Sequence, residues 1–476
     1  MFNAPISTAK GPARTNRSDA AVAQIRGKVE ISRAAGAVDL AALGPHLYAL
    51  MLRNVATDGF TFSDPSAPGD VTRDAKPGCV IAAPSFPADT PGIDEDYVFC
   101  WVRDAALTAM ELVSGMPDCP GGAAAQLNDY VRFADLCHAN AAPTTGHACF
   151  TIAGRARPWT EQNDGPALQS IAILAAYPQL DPNTQRVAVD LVNANVAYLL
   201  GVYQQRTTNL WEEHTGYSFF ARAVQLRCFE QVLATAIAGI DKPAALQSAA
   251  AWLRQALAGH WDGARYVSVL ADAGDGSAPS PQRPVVAFYD PNIDIVLACI
   301  YGAVPATDTK LLATAAQLRS QWEPGGLAAY PVNGADAARG LGPMFGRYPG
   351  DVYDGDTSHP VLGGHPWALC TCAVAELHYR LAAAIVAGGP IPLDDLSAPF
   401  FAPSGVDPTT SPGDAATALV RAGDAMLQAV VYHSDNLELS EQFDGTTGFE
   451  RSVSNLTWSY GAFLSALRAR AGAVEP

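Results

Sequence analysis

Apolar residues recur at helical spacing along most of this chain. The stretch DLAALGPHLYALMLRNVA, Asp39 to Ala56, gathers them on one face behind Asp39, an acceptable N-cap, and predicts a first helix. Residues 57–100 are rich in Pro, Gly, Asp and Ser and predict a long irregular region. RDAALTAMELVSG and AAQLNDYVRFADLCHAN then read as helices, followed by DGPALQSIAILAAY and TQRVAVDLVNANVAYLLGVYQQ. FFARAVQLRCFEQVLATAIAGI, PAALQSAAAWLRQALAGH, DPNIDIVLACIYG and TDTKLLATAAQLRSQW continue the series. HPWALCTCAVAELHYRLAAAIVAG, SPGDAATALVRAGDAMLQAVVYH and NLTWSYGAFLSALRARAG close it, making roughly a dozen helices. Strand signals are scarce, although RYVSVLA can pair with a short partner, and no exact repeat is visible.

Helices joined by alternating long and short connections are what a closed double ring of helices produces, with the long loops building a pocket on one face. A loosely connected pair of helical domains is the rival. Size alone suggests two to four domains. No low-complexity linker divides the chain, which favours one all-α domain over residues 36–476 after a polar N-terminal extension, residues 1–35.

Composition narrows the function. Of 476 residues, 49% are hydrophobic and only 16% charged, so many helices must be buried on more than one side. The net charge is −17, from 47 acids against 30 bases, with no Lys or Arg cluster. That argues against nucleic acid and against an anionic membrane surface, while a neutral substrate fits. No apolar segment reads as a membrane span free of charge or interruption, and MFNAPISTAKGPARTNRSDAAV lacks the apolar core of a signal peptide. The expected location is therefore open: cytoplasmic, or exported with a signal removed. Nine Cys include no CxxC pair; a Cys137–Cys149 disulfide is permitted but not demanded, and no zinc pattern stands out. His46, His378 and His433 read as packing or surface residues, and DGDTSH, Asp354 to His359, is only a faint cation loop.

Five loop segments carry site-like chemistry. DEDYVFCWVRD sets Tyr97, Phe99 and Trp101 beside Arg103 and Asp104. RARPWTEQNDGPAL carries Arg157, Trp159, Asn163 and Asp164. NLWEEHTGYSFF holds Glu212 and Glu213 after Asn209 and Trp211. SEQFDGTTG, followed by SNLTWSY, holds Glu441, and GRYPGDVYDGD carries Arg347 and Asp351. Aromatic faces among Asp, Glu and Arg suit a sugar, whose C–H faces stack on rings while its hydroxyls meet charged groups. Cleaving a glycosidic bond needs one carboxylic acid to protonate the leaving oxygen; inversion needs a second carboxylate to deprotonate water. Glu212 has the apolar and acidic neighbours that raise an acid's pKa. Two adjacent Glu at a helix start are equally what the helix dipole favours, and Asp164 before Gly165 and Pro166 reads more simply as a helix cap.

Five stretches in order resemble the glucoamylase family, the inverting exo-glucosidases of glycoside hydrolase family 15. They are DYVFCWVRDAAL, NDGPALQS, NLWEEHTGYSFFARAVQLR, GRYPGDVYDG with HPWALCT, and SEQFDGTTG with NLTWSY. The resemblance covers about Asp39 to Arg470. The resemblance implies an (α/α)6 barrel with a pocket at one end, and catalysis without metal or organic cofactor. It implies Glu212 as general acid, Glu441 as general base and Glu213 as a substrate-binding carboxylate. Trp101, Arg103 and Asp104 match the group holding the terminal glucose, and Tyr97 a tyrosine close to the reaction centre. Arg347 and Asp351 match residues that bind glucose hydroxyls or steady the site, Trp367 flanks the outer subsites, and Trp211 walls the pocket.

The departures are specific. Asn209 stands where the fungal enzymes have Asp. GRARPWTEQNDGP is longer than the family's Gly-Arg-Pro-Gln-Arg-Asp-Gly-Pro stretch, so Trp159 is expected to substitute for its aromatic. DGDTSHPVLGGHPW also lengthens a pocket loop. The implied substrate is an α-glucan end or maltooligosaccharide, cleaved at α-1,4 links, with α-1,6 links or trehalose as the alternative. A monomer with no starch-binding domain is expected.

Overall fold

The computed structural model describes residues 39–63, 74–85, 96–115, 122–271, 288–353 and 363–474. The N-terminal extension, the loop GDGSAPSPQ and the cation-like DGDTSH lie outside these residues.

The structure is mostly helical. In chain order the helices are α1 (Gly44–Leu52), α2 (Val102–Ser114), α3 (Ala124–Ala139), α4 (Gly165–Ala176), α5 (Pro182–Val202), α6 (Phe219–Ala234) and α7 (Ala244–Ala258). There follow α8 (Asp294–Tyr301), α9 (Thr309–Trp322), α10 (Pro331–Arg339), α11 (Ala368–Val386), α12 (Ala398–Phe401), α13 (Pro412–His433) and α14 (Thr457–Val474). Short pairs of strands link them: β1 (Phe99–Trp101) with β2 (Cys149–Thr151), β3 (Thr207–Thr208) with β4 (Thr215–Ser218) and β5 (Val269–Leu270), and β6 (Gln442–Phe443) with β7 (Glu450–Arg451), all antiparallel. The expected partner of RYVSVLA is thus β4, through Tyr217 to Leu270.

Helix starts follow side-chain chemistry. Asp181 accepts from Asn183 N and Thr184 N at 2.9 and 3.0 Å ahead of Pro182, and Asp308 caps α9 through Lys310 N at 2.8 Å. Ser218 and Ser411 cap α6 and α13. Asp39 accepts from Ala41 N, but it opens a 3₁₀ turn, Leu40–Leu43, rather than the α-helix expected there. The segment PVNGADAAR, too short and polar to show a helical stripe, forms α10.

Six helices pack in succession: α2 on α4, α4 on α6, α6 on α8, α8 on α11, α11 on α14, and α14 back on α2. Their burial explains the low charge fraction, since α11 is covered along nearly its whole length. By length and composition α11 is apolar enough to cross a membrane, but it carries Glu376 and Arg380, in keeping with the sequence reading, and 78% of that window is buried inside the protein. The remaining long helices lie outside, each against one or two of the six, as α7 against α6 and α13 against α11. The eight described cysteines are buried and free, so Cys137 and Cys149 are not bonded.

Candidate active site

The loops entering α2, α6, α11 and α14 open on a common cavity of about 520 Å³. Of the carboxylates gathered there, Asp104 lies in the first turn of α2, where the positive dipole end favours it. Tyr97, Trp101, Arg103, Asp104, Trp159, Trp211, Glu212, Glu213, Arg347, Trp367 and Glu441 all line it. Asn209 and Asp351 do not: both are fully buried behind the wall.

Glu212 and Glu213 are not at a helix start. They sit in a turn ahead of β4, and α6 begins only at Phe219. Asn209 builds that turn. Its Oδ1 accepts from Glu213 N and His214 N, both at 3.0 Å, and its Nδ2 donates to the Tyr289 hydroxyl. Its backbone carbonyl accepts from Glu212 N at 3.0 Å and from Gln162 Nε2 at 2.6 Å. Glu212 is thereby held at φ 63, a left-handed conformation that costs a non-glycine residue on the order of 1 kcal/mol and occurs mostly where function demands it. One Glu212 oxygen accepts from Trp101 Nε1 at 2.8 Å and the other from Trp159 Nε1 at 2.6 Å. Trp159 therefore does meet Glu212, from the rim, where it is 55% exposed.

Glu213 points the other way. It pairs with Arg347 at 2.8 Å and accepts from the Tyr348 hydroxyl at 2.9 Å. Burial raises its pKa, with the charge of Arg347 opposing. Arg347 is gripped from behind by Asp351 through two bonds of 2.8 and 2.6 Å, a fork that fixes its plane. Its guanidinium lies 5.3, 5.2 and 5.2 Å from the ring centres of Trp211, Tyr353 and Trp367. Trp211 is aimed by its indole N–H to Asn292, at 3.0 Å, and packs on Trp367 and Trp458.

Arg103 and Asp104 open α2 at the bottom of the cavity. Asp164 occupies the N-cap position of α4 but makes no capping bond; its carboxylate goes to Arg103 at 2.9 Å. The helix-cap reading fails because a buried guanidinium needs a counter-charge more than α4 needs a cap. Asp104 lies 3.8 Å from Arg103, and burial, only partly offset by that charge, pushes its carboxyl up to about 6.

Glu441 comes from the β6–β7 hairpin, whose register sets Ser452 across from it. The Ser452 hydroxyl donates to one carboxylate oxygen, which also accepts from Tyr353 at 3.1 Å, while Tyr97 donates to the other at 2.9 Å. Burial raises the Glu441 pKa, and these hydroxyls and Arg347 oppose it. Tyr97 and Trp101 are neighbouring rings, 5.7 Å between centres. One holds Glu441 and the next holds Glu212.

Ser452, Tyr348, Asn292 and Gln162 were missed by sequence reasoning, since each acts through another side chain. Tyr348, Gln162, Tyr353 and Trp458 lay within quoted motifs without being singled out. Among the described residues no three His, Cys, Asp or Glu side chains converge to hold a metal ion.

The family model for glycosyl hydrolases family 15 matches residues 66–130 and 151–468. The chain belongs to this family. It is a glycoside hydrolase, as that match shows. A glucoamylase of Blastobotrys adeninivorans is 29% identical over 462 residues, covering 86% of this chain and 69% of that protein. A probable glucoamylase of Schizosaccharomyces pombe is 28% identical over 434 residues, covering 84% and 86%. Among solved structures, the glucoamylase from Saccharomycopsis fibuligera superposes with a TM-score of 0.71 at 22% identity, over 91% of this chain and 96% of that one. The family 15 glucoamylase from Hypocrea jecorina reaches the same TM-score, 0.71, at 26% identity, covering 91% and 72%. In this family 15 hydrolase Glu212 stands in a turn organised by Asn209.

Proposed function

We propose that this chain releases β-glucose from the non-reducing ends of α-1,4-linked maltooligosaccharides or dextrins by inversion. The carrying observation is the pair of carboxylates on one cavity, each held by a different member of the Tyr97–Trp101 ring pair. Glu212 is the general acid. Each carboxyl oxygen offers two lone pairs, so a proton facing the glycosidic oxygen coexists with both indole bonds. Glu441 is the general base: its burial makes the carboxylate more basic, and three hydroxyl donors fix its direction toward a water. Arg103, Asp104, Glu213 and Arg347 hold the terminal sugar's hydroxyls, with Trp101, Trp211 and Trp367 as stacking walls. Asp351 and Asn209 act from behind, on Arg347 and on the turn. Both proton transfers come from carboxyl groups, so the reading calls for no cofactor.

The cyclic packing of α2, α4, α6, α8, α11 and α14 supports an (α/α)6 barrel, and the proposal takes residues 36–476 as one domain working as a monomer. The glucoamylase names of the relatives support an exo-acting glucosidase, and the linkage is decided by the rates below. A preference for α-1,6 links or trehalose is the second reading, favoured by the longer loop that carries Trp159. Proton NMR of the first-formed product tests inversion: β-glucose is expected, and α-glucose first would sink the assignment. Rates on maltose, isomaltose, trehalose and maltoheptaose under one condition decide the linkage.

A further inference from the structure

Three arginines line the cavity: Arg103, Arg157 and Arg347. Two are committed. Arg103 meets Asp164 at 2.9 Å, and Arg347 meets Asp351 at 2.6 Å and Glu213 at 2.8 Å. Asp96 lines the same cavity, and Arg157 forms no ion pair with a carboxylate among the described residues. Its guanidinium is held by rings instead. The central carbon lies 3.8 Å from the ring centre of Phe99, 4.4 Å from that of Trp159 and 5.9 Å from that of Trp101. Apart from the Cys149 thiol, a weak partner, its N–H edges are uncommitted. A guanidinium carried on aromatic faces is pre-organised to offer those edges to a planar anion.

The location is equally specific. Arg103 and Arg347 are 5% and 4% exposed, whereas Trp159, which covers Arg157, is 55% exposed. The stack of Phe99, Arg157 and Trp159 therefore stands at the open end, on the lengthened loop. An exo-acting enzyme seats the terminal sugar at the closed end, so the stack faces the leaving group.

We propose that Arg157, clamped between Phe99 and Trp159, is a leaving-group subsite for an anionic aglycone, a sugar acid whose carboxylate meets the guanidinium. The inference rests on the reading of Glu212 as the acid. In its working, protonated form the carboxyl bonded to Trp159 is neutral, so Arg157, with no carboxylate partner among the described residues, stands as a cation beside the departing group.

Maltobionate and maltitol test this. They share the glucosyl group, the linkage and an open-chain six-carbon aglycone, and differ by a carboxylate against a hydroxymethyl group. The full chain is expected to favour maltobionate about fivefold in kcat/KM at low salt, with the preference shrinking at high salt. Arg157→Met brings the ratio of the two substrates to about one, and Arg157→Lys retains part of the preference. Only the ratio is read, because losing the stack also loosens Trp159. A wild-type ratio at or below one, or the same ratio in Arg157→Met, overturns the subsite. If neither compound nor maltose is cleaved, the glucosidase reading itself fails; whenever the two compounds are not cleaved, calorimetric titration of both decides the subsite. Tighter binding of maltobionate that depends on Arg157 upholds it, and equal binding overturns it.

Discussion

Glu212 and Glu441 are one residue type in two settings. Glu212 stands in a turn with a positive φ, its oxygens held by two indole N–H groups, one from the half-exposed Trp159. Glu441 is buried on a hairpin and held by three hydroxyls, of Tyr97, Tyr353 and Ser452. On the proposed reading the difference suits the work. The acid must reach a bulky leaving group at the open side, whereas the base handles one water from within.

The strongest way to break this pairing is a substrate that needs no acid. Glu212→Gln and Glu441→Gln should each lower kcat/KM on maltose by about 10³-fold or more. On α-glucosyl fluoride, whose leaving group departs without a proton, Glu212→Gln should recover most of the loss and Glu441→Gln none. Equal losses on both substrates would erase the assigned difference.

The next effect isolates Glu441's surroundings. Ser452→Ala removes a donor to the ionised carboxylate and so raises its pKa further. The base is active when ionised, so the acid limb of the pH–rate profile should move to higher pH, with kcat down about tenfold. An unmoved limb would mean that Ser452 only packs.

Asn209→Ala sharpens the other side. It strands Glu213 N, His214 N and the Tyr289 hydroxyl, which should cost about 1–3 kcal/mol in urea unfolding. Its activity should fall further on maltose than on α-glucosyl fluoride, because the displaced group is the acid. A uniform fall on both would separate Asn209 from Glu212.

The smallest effect compares the site with the core beneath it. Burial pushes Asp104 up to about 6, Asp290 to about 7 and Asp294 to about 8. The folded state holds more protons than the unfolded chain from the usual carboxylate value, about 4, up to those values. Their contribution is full at and below that usual value and is lost as pH rises through 6, 7 and 8. The melting temperature should therefore fall by a few degrees between about pH 5 and pH 8.5, less steeply in Asp294→Asn. An identical slope in that variant would remove Asp294 as a cause.

Much of the site was legible because its residues sit in local motifs. Trp101, Arg103 and Asp104 are neighbours, and Glu212 and Glu213 adjoin Trp211. Where the reading went astray, a distant partner had decided. Asp164 looked like a cap until Arg103, from another helix, claimed its carboxylate. Glu212 and Glu213 looked like a helix start until Asn209 turned the chain before α6. Cys137 and Cys149 were a permitted pair that folding left apart and reduced.

By itself the sequence determined the helical class, the limits of most long helices and the two carboxylates. Hydrophobic spacing, caps and motif residues act over a few positions and are written locally. Only the tertiary structure decided that Asn209 and Asp351 stand behind the cavity, that Trp159 reaches Glu212, and that Arg157 has no carboxylate partner among the described residues. Those outcomes depend on burial and on hydrogen bonds between segments far apart in the chain, where no local pattern records the partner.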